Sequence, residues 1–117
     1  MRALVATIVL VGAMAFGAAC GSKSMPNVAP QPKGKQAQDS ELIEGRSVFV
    51  ANCQRCHGPR GQGQAGPRLA GVVTSTFPNI QNEINVVTNG AGEMPSWKGK
   101  LTPAQIHAVV RYTREVL

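Results

Sequence analysis

Cys53-Gln54-Arg55-Cys56-His57 decides how this chain is read. Two cysteines separated by two residues and followed at once by a histidine make the pattern C-x-x-C-H. On one helical turn, both sulfurs reach one edge of a porphyrin, where each can bond a vinyl group. The next residue then brings its imidazole under the iron. Other uses of paired cysteines fit less well. A zinc site needs four ligands, usually as two pairs, and the only other cysteine is Cys20, far upstream. A redox-active C-x-x-C needs a βαβ setting, which the flanks lack. A disulfide would use both cysteines and leave His57 without a reason. The pattern predicts one covalent haem c, attached at Cys53 and Cys56, with His57 as an iron ligand.

The flanking sequence predicts helices. Upstream, Asp39 or Ser40 can cap a helix on which Leu42, Gly45, Val48, Phe49 and Cys53 share a face, and Gly58-Pro59 stops it. Residues 58–76 are rich in Gly and polar groups and read as loop. A middle helix starts from Asn79, with Ile80, Ile84 and Val87 on one face and Asn89-Gly90 as its stop. Residues 90–100 are again loop. The last helix has the clearest start: Thr102 as N-cap, Pro103 at its first position and Gln105 completing a capping box. Its apolar face carries Ile106, Val109, Val110, Thr113 and Leu117, with His107, Arg111 and Glu115 on the other side. No alternating strand pattern or internal repeat occurs. The expectation is an all-α domain over residues 39–117. Those 79 residues, with one Trp and one Tyr, make a small core that needs a staple. A buried, covalently held porphyrin would be one.

In this order the motifs resemble those of class I bacterial cytochromes c across residues 40–117. Gly45, Phe49 and Cys53 match the family's glycine, aromatic and first haem cysteine, each four apart. A glycine-rich loop, Gly58-Pro59-Arg60-Gly61-Gln62-Gly63, follows His57. Then come Gly66-Pro67-Arg68-Leu69, Met94-Pro95 within a loop, and a final helix bearing Tyr112. The resemblance implies a cytochrome c fold of three to four helices around one haem. It implies that the first and last helices cross near Gly45, with Phe49 and Tyr112 packed beside the crossing. It also implies that the carbonyl of Pro67 accepts a hydrogen bond from His57.

Iron needs a ligand opposite His57. A thioether is soft and neutral, favours ferrous iron and raises the reduction potential relative to a second histidine. Met94 is the only methionine in the domain; with the family match it is the expected second ligand. His107, on the polar side of the last helix, reads as a surface residue. Trp97 either walls the haem or fills the core, since Trp is generally buried with its N–H paired.

The N-terminus carries a different signal. Met1-Arg2 is basic, and Ala3 to Ala19 run without a charge, the pattern of an export signal over residues 1–19. At 17 residues the stretch is shorter than the ~20 of a spanning helix. Gly17-Ala18-Ala19-Cys20 resembles a bacterial lipoprotein box, with Gly17 where leucine is usual. That resemblance implies lipidation of Cys20; the alternative is a stray thiol at the edge of the signal. Residues 20–38 contain Pro26, Pro30 and Pro32 and almost nothing apolar, and read as a flexible linker. Such a linker would tether the domain without fixing its orientation.

The chain carries 12 Lys and Arg against 6 Asp and Glu, a net +6. From Asp39 onward the balance is only +2, so the basic character lies mostly in the N-terminal part and suits an anionic membrane surface. Nucleic-acid binding would need a basic stripe with a reading element, and none is present. Arg55, Arg60, Arg68, Lys98 and Lys100 fall in segments around the haem edge and could steer an acidic redox partner. The resulting expectation is a non-enzymatic electron carrier, exported and lipid-anchored at the outer face of the cytoplasmic membrane or in the periplasm. The alternatives are a haem subunit of a larger oxidase or dehydrogenase, and a sensor or enzyme with a labile sixth ligand.

Overall fold

Asp39 opens the first helix of the structure, a computed structural model that describes residues 27–117. Its carboxylate accepts from the backbone N–H groups of Glu41 and Leu42 at 3.0 and 3.2 Å, satisfying two donors that a helix start leaves without partners. Helix α1 (Ser40–Val48) runs into a π-helical turn (Phe49–Cys53) and then α2 (Gln54–His57). Gly58, at φ +81°, ends the run. The π turn was not expected from the sequence. It absorbs one residue, so Cys53–His57 are rotated relative to Phe49 from where an uninterrupted α-helix would put them.

A single turn, α3 (Val73–Thr76), lies within the segment expected to be loop. α4 (Ile80–Asn89) starts at Asn79, whose side chain accepts the Gln81 N–H at 2.9 Å. α5 (Pro103–Glu115) carries the expected capping box, Gln105 N–H to Thr102 Oγ1 at 3.2 Å and Thr102 N–H to Gln105 Oε1 at 3.1 Å. Among the described residues there is no strand, only two isolated bridges, and no helix is long and apolar enough to cross a membrane.

α1 and α5 form the core. Their backbones meet at Gly45: a Cβ there would lie 2.1 Å from the carbonyl oxygen of Ala108 and 2.9 Å from Cβ of Tyr112, so only glycine permits this crossing. Val48 and Phe49 of this run cluster with Val109 and Tyr112 of α5, and Leu42, Ile106 and Val110 are buried as well. The Phe49 and Tyr112 rings pack 5.4 Å apart, tilted by 47°, a favourable edge-biased geometry. Outside the core, Arg111 bridges Asp39, Glu41 and Glu115, and His107 pairs with Glu41. Such half-exposed pairs contribute little singly, but together they hold α5 to the start of α1.

Residues 27–38 correct the linker expectation. Ala29 is 2% exposed. The Arg46 guanidinium donates to the carbonyls of Ala29 and Pro30 at 3.1–3.2 Å, and the Tyr112 hydroxyl donates to Pro30 O at 2.7 Å. A 3₁₀ turn, Gly34–Gln38, follows, with the Gln36 amide donating to Glu115 O at 3.2 Å. Composition misleads here because one small side chain, Ala29, joins the core and most of the other contacts are hydrogen bonds to backbone carbonyls, while proline's fixed φ lowers the entropy cost of ordering them. The domain therefore begins before Asp39. The expected signal, Cys20 and the linker residues 20–26 lie outside the described residues.

Candidate haem site

His57 ends α2 and is 7% exposed. Its Nδ1 lies 2.8 Å from the carbonyl oxygen of Pro67. A carbonyl can only accept, so Nδ1 carries the proton and Nε2 is left free to bind a metal. The loop that supplies this carbonyl is tied back to α2: Gly63 N–H donates to His57 O at 2.7 Å and Gly66 N–H to Cys56 O at 2.8 Å. Gly66 lies against the imidazole itself. A Cβ there would sit 3.1 Å from both Nδ1 and Cε1 of His57, so the loop grips the ring closely.

His57, Cys53 and Cys56 line a cavity of about 520 Å³, a size typical of ligand sites. Both cysteines are free thiols. Burial, with a smaller contribution from the neighbouring Cys56 sulfur, pushes the Cys53 thiol up to about 11. Met94, Pro95 and Trp97 line the same cavity. Met94 is held in a tight turn by reciprocal bonds with Ala91, at 3.0 and 3.2 Å, and that turn is pinned to the end of α4 by Lys98 N–H to Thr88 O at 2.9 Å. Leu69, Phe77, Val86, Val87, Val109 and Val110 complete largely apolar walls. The Lys100 ammonium lies over the Trp97 ring, 5.7 Å from its centre.

These residues suit a haem: two thiols, one imidazole nitrogen, one thioether and apolar walls for a flat macrocycle. The competing zinc reading finds no support, since among the described residues no three His, Cys, Asp or Glu side chains converge on a metal position. His107 pairs with Glu41 and does not line the cavity.

Among the cavity-wall residues that the sequence reading did not name, one is charged and buried. Glu83, on α4, is 5% exposed and lines the cavity. It accepts from Thr113 Oγ1 at 2.7 Å and from Arg114 at 3.1 Å. The signal was present: positions 80, 83, 84 and 87 share one helical face, so an acid stands within an apolar stripe.

Comparison with known proteins places the chain. Residues 40–112 match the family described as cytochrome c oxidase, cbb3-type, subunit III. The FixP subunit of a cbb3-type cytochrome c oxidase from a Bradyrhizobium species is 31% identical over 83 residues, 68% of this chain and 29% of the relative. The chain thus spans about three tenths of that relative's length. Cytochrome c6 of Leptolyngbya boryana is 34% identical over 76 residues, 62% of this chain and 89% of the relative. Among solved structures, cytochrome cL of Methylophaga aminisulfidivorans superposes with a TM-score of 0.59 at 25% identity, covering 66% of this chain and 55% of that one. With the family match running from the start of α1 to Tyr112 in α5, across both cysteines of the motif, the chain belongs to the cbb3-type cytochrome c oxidase subunit III family of c-type cytochromes, and its cofactor is a covalently bound haem c.

Proposed function

We propose that this protein is a one-electron carrier and not an enzyme. Cys53 and Cys56 would hold the haem as thioethers, and His57 and Met94 would ligate its iron. The observation that carries this reading is the convergence of His57 and Met94, from two separate segments, on one cavity. With both of these side chains on the iron, no substrate position would be left at the metal. When bound, the haem iron alternates between ferric and ferrous states and so takes up and gives back one electron.

The chain's own groups set the terms of that exchange. The Pro67 carbonyl fixes the His57 ring and makes it a better donor to iron. The Met94 thioether favours the ferrous state. The apolar walls exclude water, which strengthens the influence of every nearby charge. A redox titration should give a single one-electron wave, and the ferrous protein should refuse carbon monoxide. Rapid stoichiometric binding of carbon monoxide to the wild type would favour the sensor or enzyme reading instead.

The extent of cytochrome c6 that the chain matches favours a shuttle between redox proteins. The family match favours the second reading, a haem subunit of a larger oxidase; stable co-purification with oxidase subunits would decide for it. Redox docking surfaces are commonly small and transient. Arg55 is exposed and lines the cavity, which suits it, with Arg60, Arg68, Lys98 and Lys100, to steer an acidic partner. The rate of reduction by such a partner should fall as salt rises, since exposed charges are screened within ~8 Å at physiological ionic strength. A rate independent of salt would remove the steering.

Export and lipidation of Cys20 would place the domain at the outer face of the cytoplasmic membrane or in the periplasm. Because residues 27–38 belong to the domain, only seven residue steps separate Cys20 from Asn27, at most about 25 Å. Asn27 borders a surface cavity shared with Arg55 and Pro59, so a lipid would hold the motif side of the domain near the membrane. Cys20→Ser should move the protein from the membrane to the soluble fraction, because multiple acyl chains anchor firmly. A wild-type protein soluble without detergent would count against the anchor.

A further inference from the structure

The Glu83 carboxylate is an acid buried in the wall of the haem cavity. Its hydrogen bonds go to Thr113 and Arg114 of α5, at 2.7 and 3.1 Å, and not to His57 or Met94. The Arg114 side chain is itself only 14% exposed and also donates to Phe77 O at 2.8 Å. The assembly is therefore built rather than incidental: one hydroxyl and one guanidinium from α5 hold the carboxylate of a residue that lines the cavity. If α4 needed only to be fixed to α5, apolar side chains would do so at lower desolvation cost.

We propose that Glu83 is the residue that couples the reduction potential of the haem to pH. An ionised carboxylate beside the cavity stabilises the ferric form, which carries one more positive charge than the ferrous form. Adding an electron to the iron raises the proton affinity of the carboxylate. Reduction thus takes one electron from the donor protein and draws a proton from water onto Glu83. Oxidation passes the electron to the acceptor and returns the proton to water. Burial raises the Glu83 carboxyl above its ordinary value, while the bonds from Thr113 and Arg114 oppose the rise. The titratable and charged groups that bond Glu83 or line the same cavity are Arg114 from α5, Arg55 and His57 from α2, and Glu93 from the Met94 turn. The inference rests on the haem lying in this cavity and does not depend on Met94 as ligand.

The test is redox titration of the full-length holoprotein against pH, using small mediators. The wild-type potential should fall as pH rises through the Glu83 titration, since the negative charge appears there. Glu83→Gln keeps the shape and the acceptor oxygen. It should abolish that step and hold the potential near the wild type's acidic limit. Above the step, the ferrous-to-ferric ratio at fixed poise should rise about tenfold, or 59 mV for one electron. Arg114→Gln serves as the second variant: losing the cation should move the step to higher pH, a change that a purely structural role would not make. It also decides the matter if Glu83→Gln does not fold. A step that survives Glu83→Gln unchanged would belong to the haem's own propionates and would overturn the proposal, as would an unmoved step in Arg114→Gln. Carbon monoxide binding by the wild type would instead defeat the carrier reading and leave this result separately readable.

Discussion

Cys53→Ala and Cys56→Ala should each reduce covalently bound haem by about tenfold or more, because C-x-x-C-H offers the only two attachment sulfurs in the domain. Haem staining after denaturing electrophoresis measures this directly; undiminished staining in both variants would defeat the assignment. The loss should extend to folding. Leu42, Phe49, Val109, Val110 and Tyr112 are the largest fully buried side chains; Leu42, Phe49 and Tyr112 stand apart from the cavity, while Val109 and Val110 also form its wall. Without the porphyrin, the apolar side chains of α4 and α5 that face the cavity lose their main partner. A domain of this size has little stability to spare. Circular dichroism of the haem-poor variants should show melting at lower temperature, with α4 and the Met94 turn the least protected from hydrogen exchange.

Met94→Ala should keep the haem attached and open its sixth position. The sulfur-to-iron charge-transfer band of the oxidised protein should vanish. The potential should fall by on the order of 100 mV, within the ~0.8 V that axial ligands span, because the ligand favouring ferrous iron is gone. Carbon monoxide should then bind readily. The turn that carries Met94 closes through the backbone of Ala91 and is fixed to α4 through Thr88, so removing the side chain need not unfold the loop. That separation makes the variant informative. If it matches the wild type in spectrum, potential and carbon monoxide binding, Met94 is not a ligand.

The attachment motif, the all-helical class and the helix ends were legible in the sequence because each depends on short-range chemistry. Thr102, Pro103 and Gln105 cap α5 through neighbours within three residues. Cys53, Cys56 and His57 lie on adjacent turns and identify their cofactor by spacing alone. The arrangement implied by resemblance is also found: the first and last helices cross at Gly45, Phe49 packs on Tyr112, and the Pro67 carbonyl meets His57.

What the tertiary structure alone decided has a common physical cause: contacts between parts of the chain far apart in sequence, made by groups whose type does not announce a partner. The carbonyl of Pro30 is no different from any other until Tyr112 and Arg46 reach it, so residues 27–38 looked like linker. The π turn is a change of backbone register that no residue in Phe49–Cys53 demands. Glu83 could be seen as an acid on an apolar stripe, but only the fold brings Thr113 and Arg114 to it, some 30 residues along the chain, and sets the same residue in the wall of the haem cavity. Sequence alone pointed to the cofactor; the packing of α4 on α5 decided which acid lines its cavity.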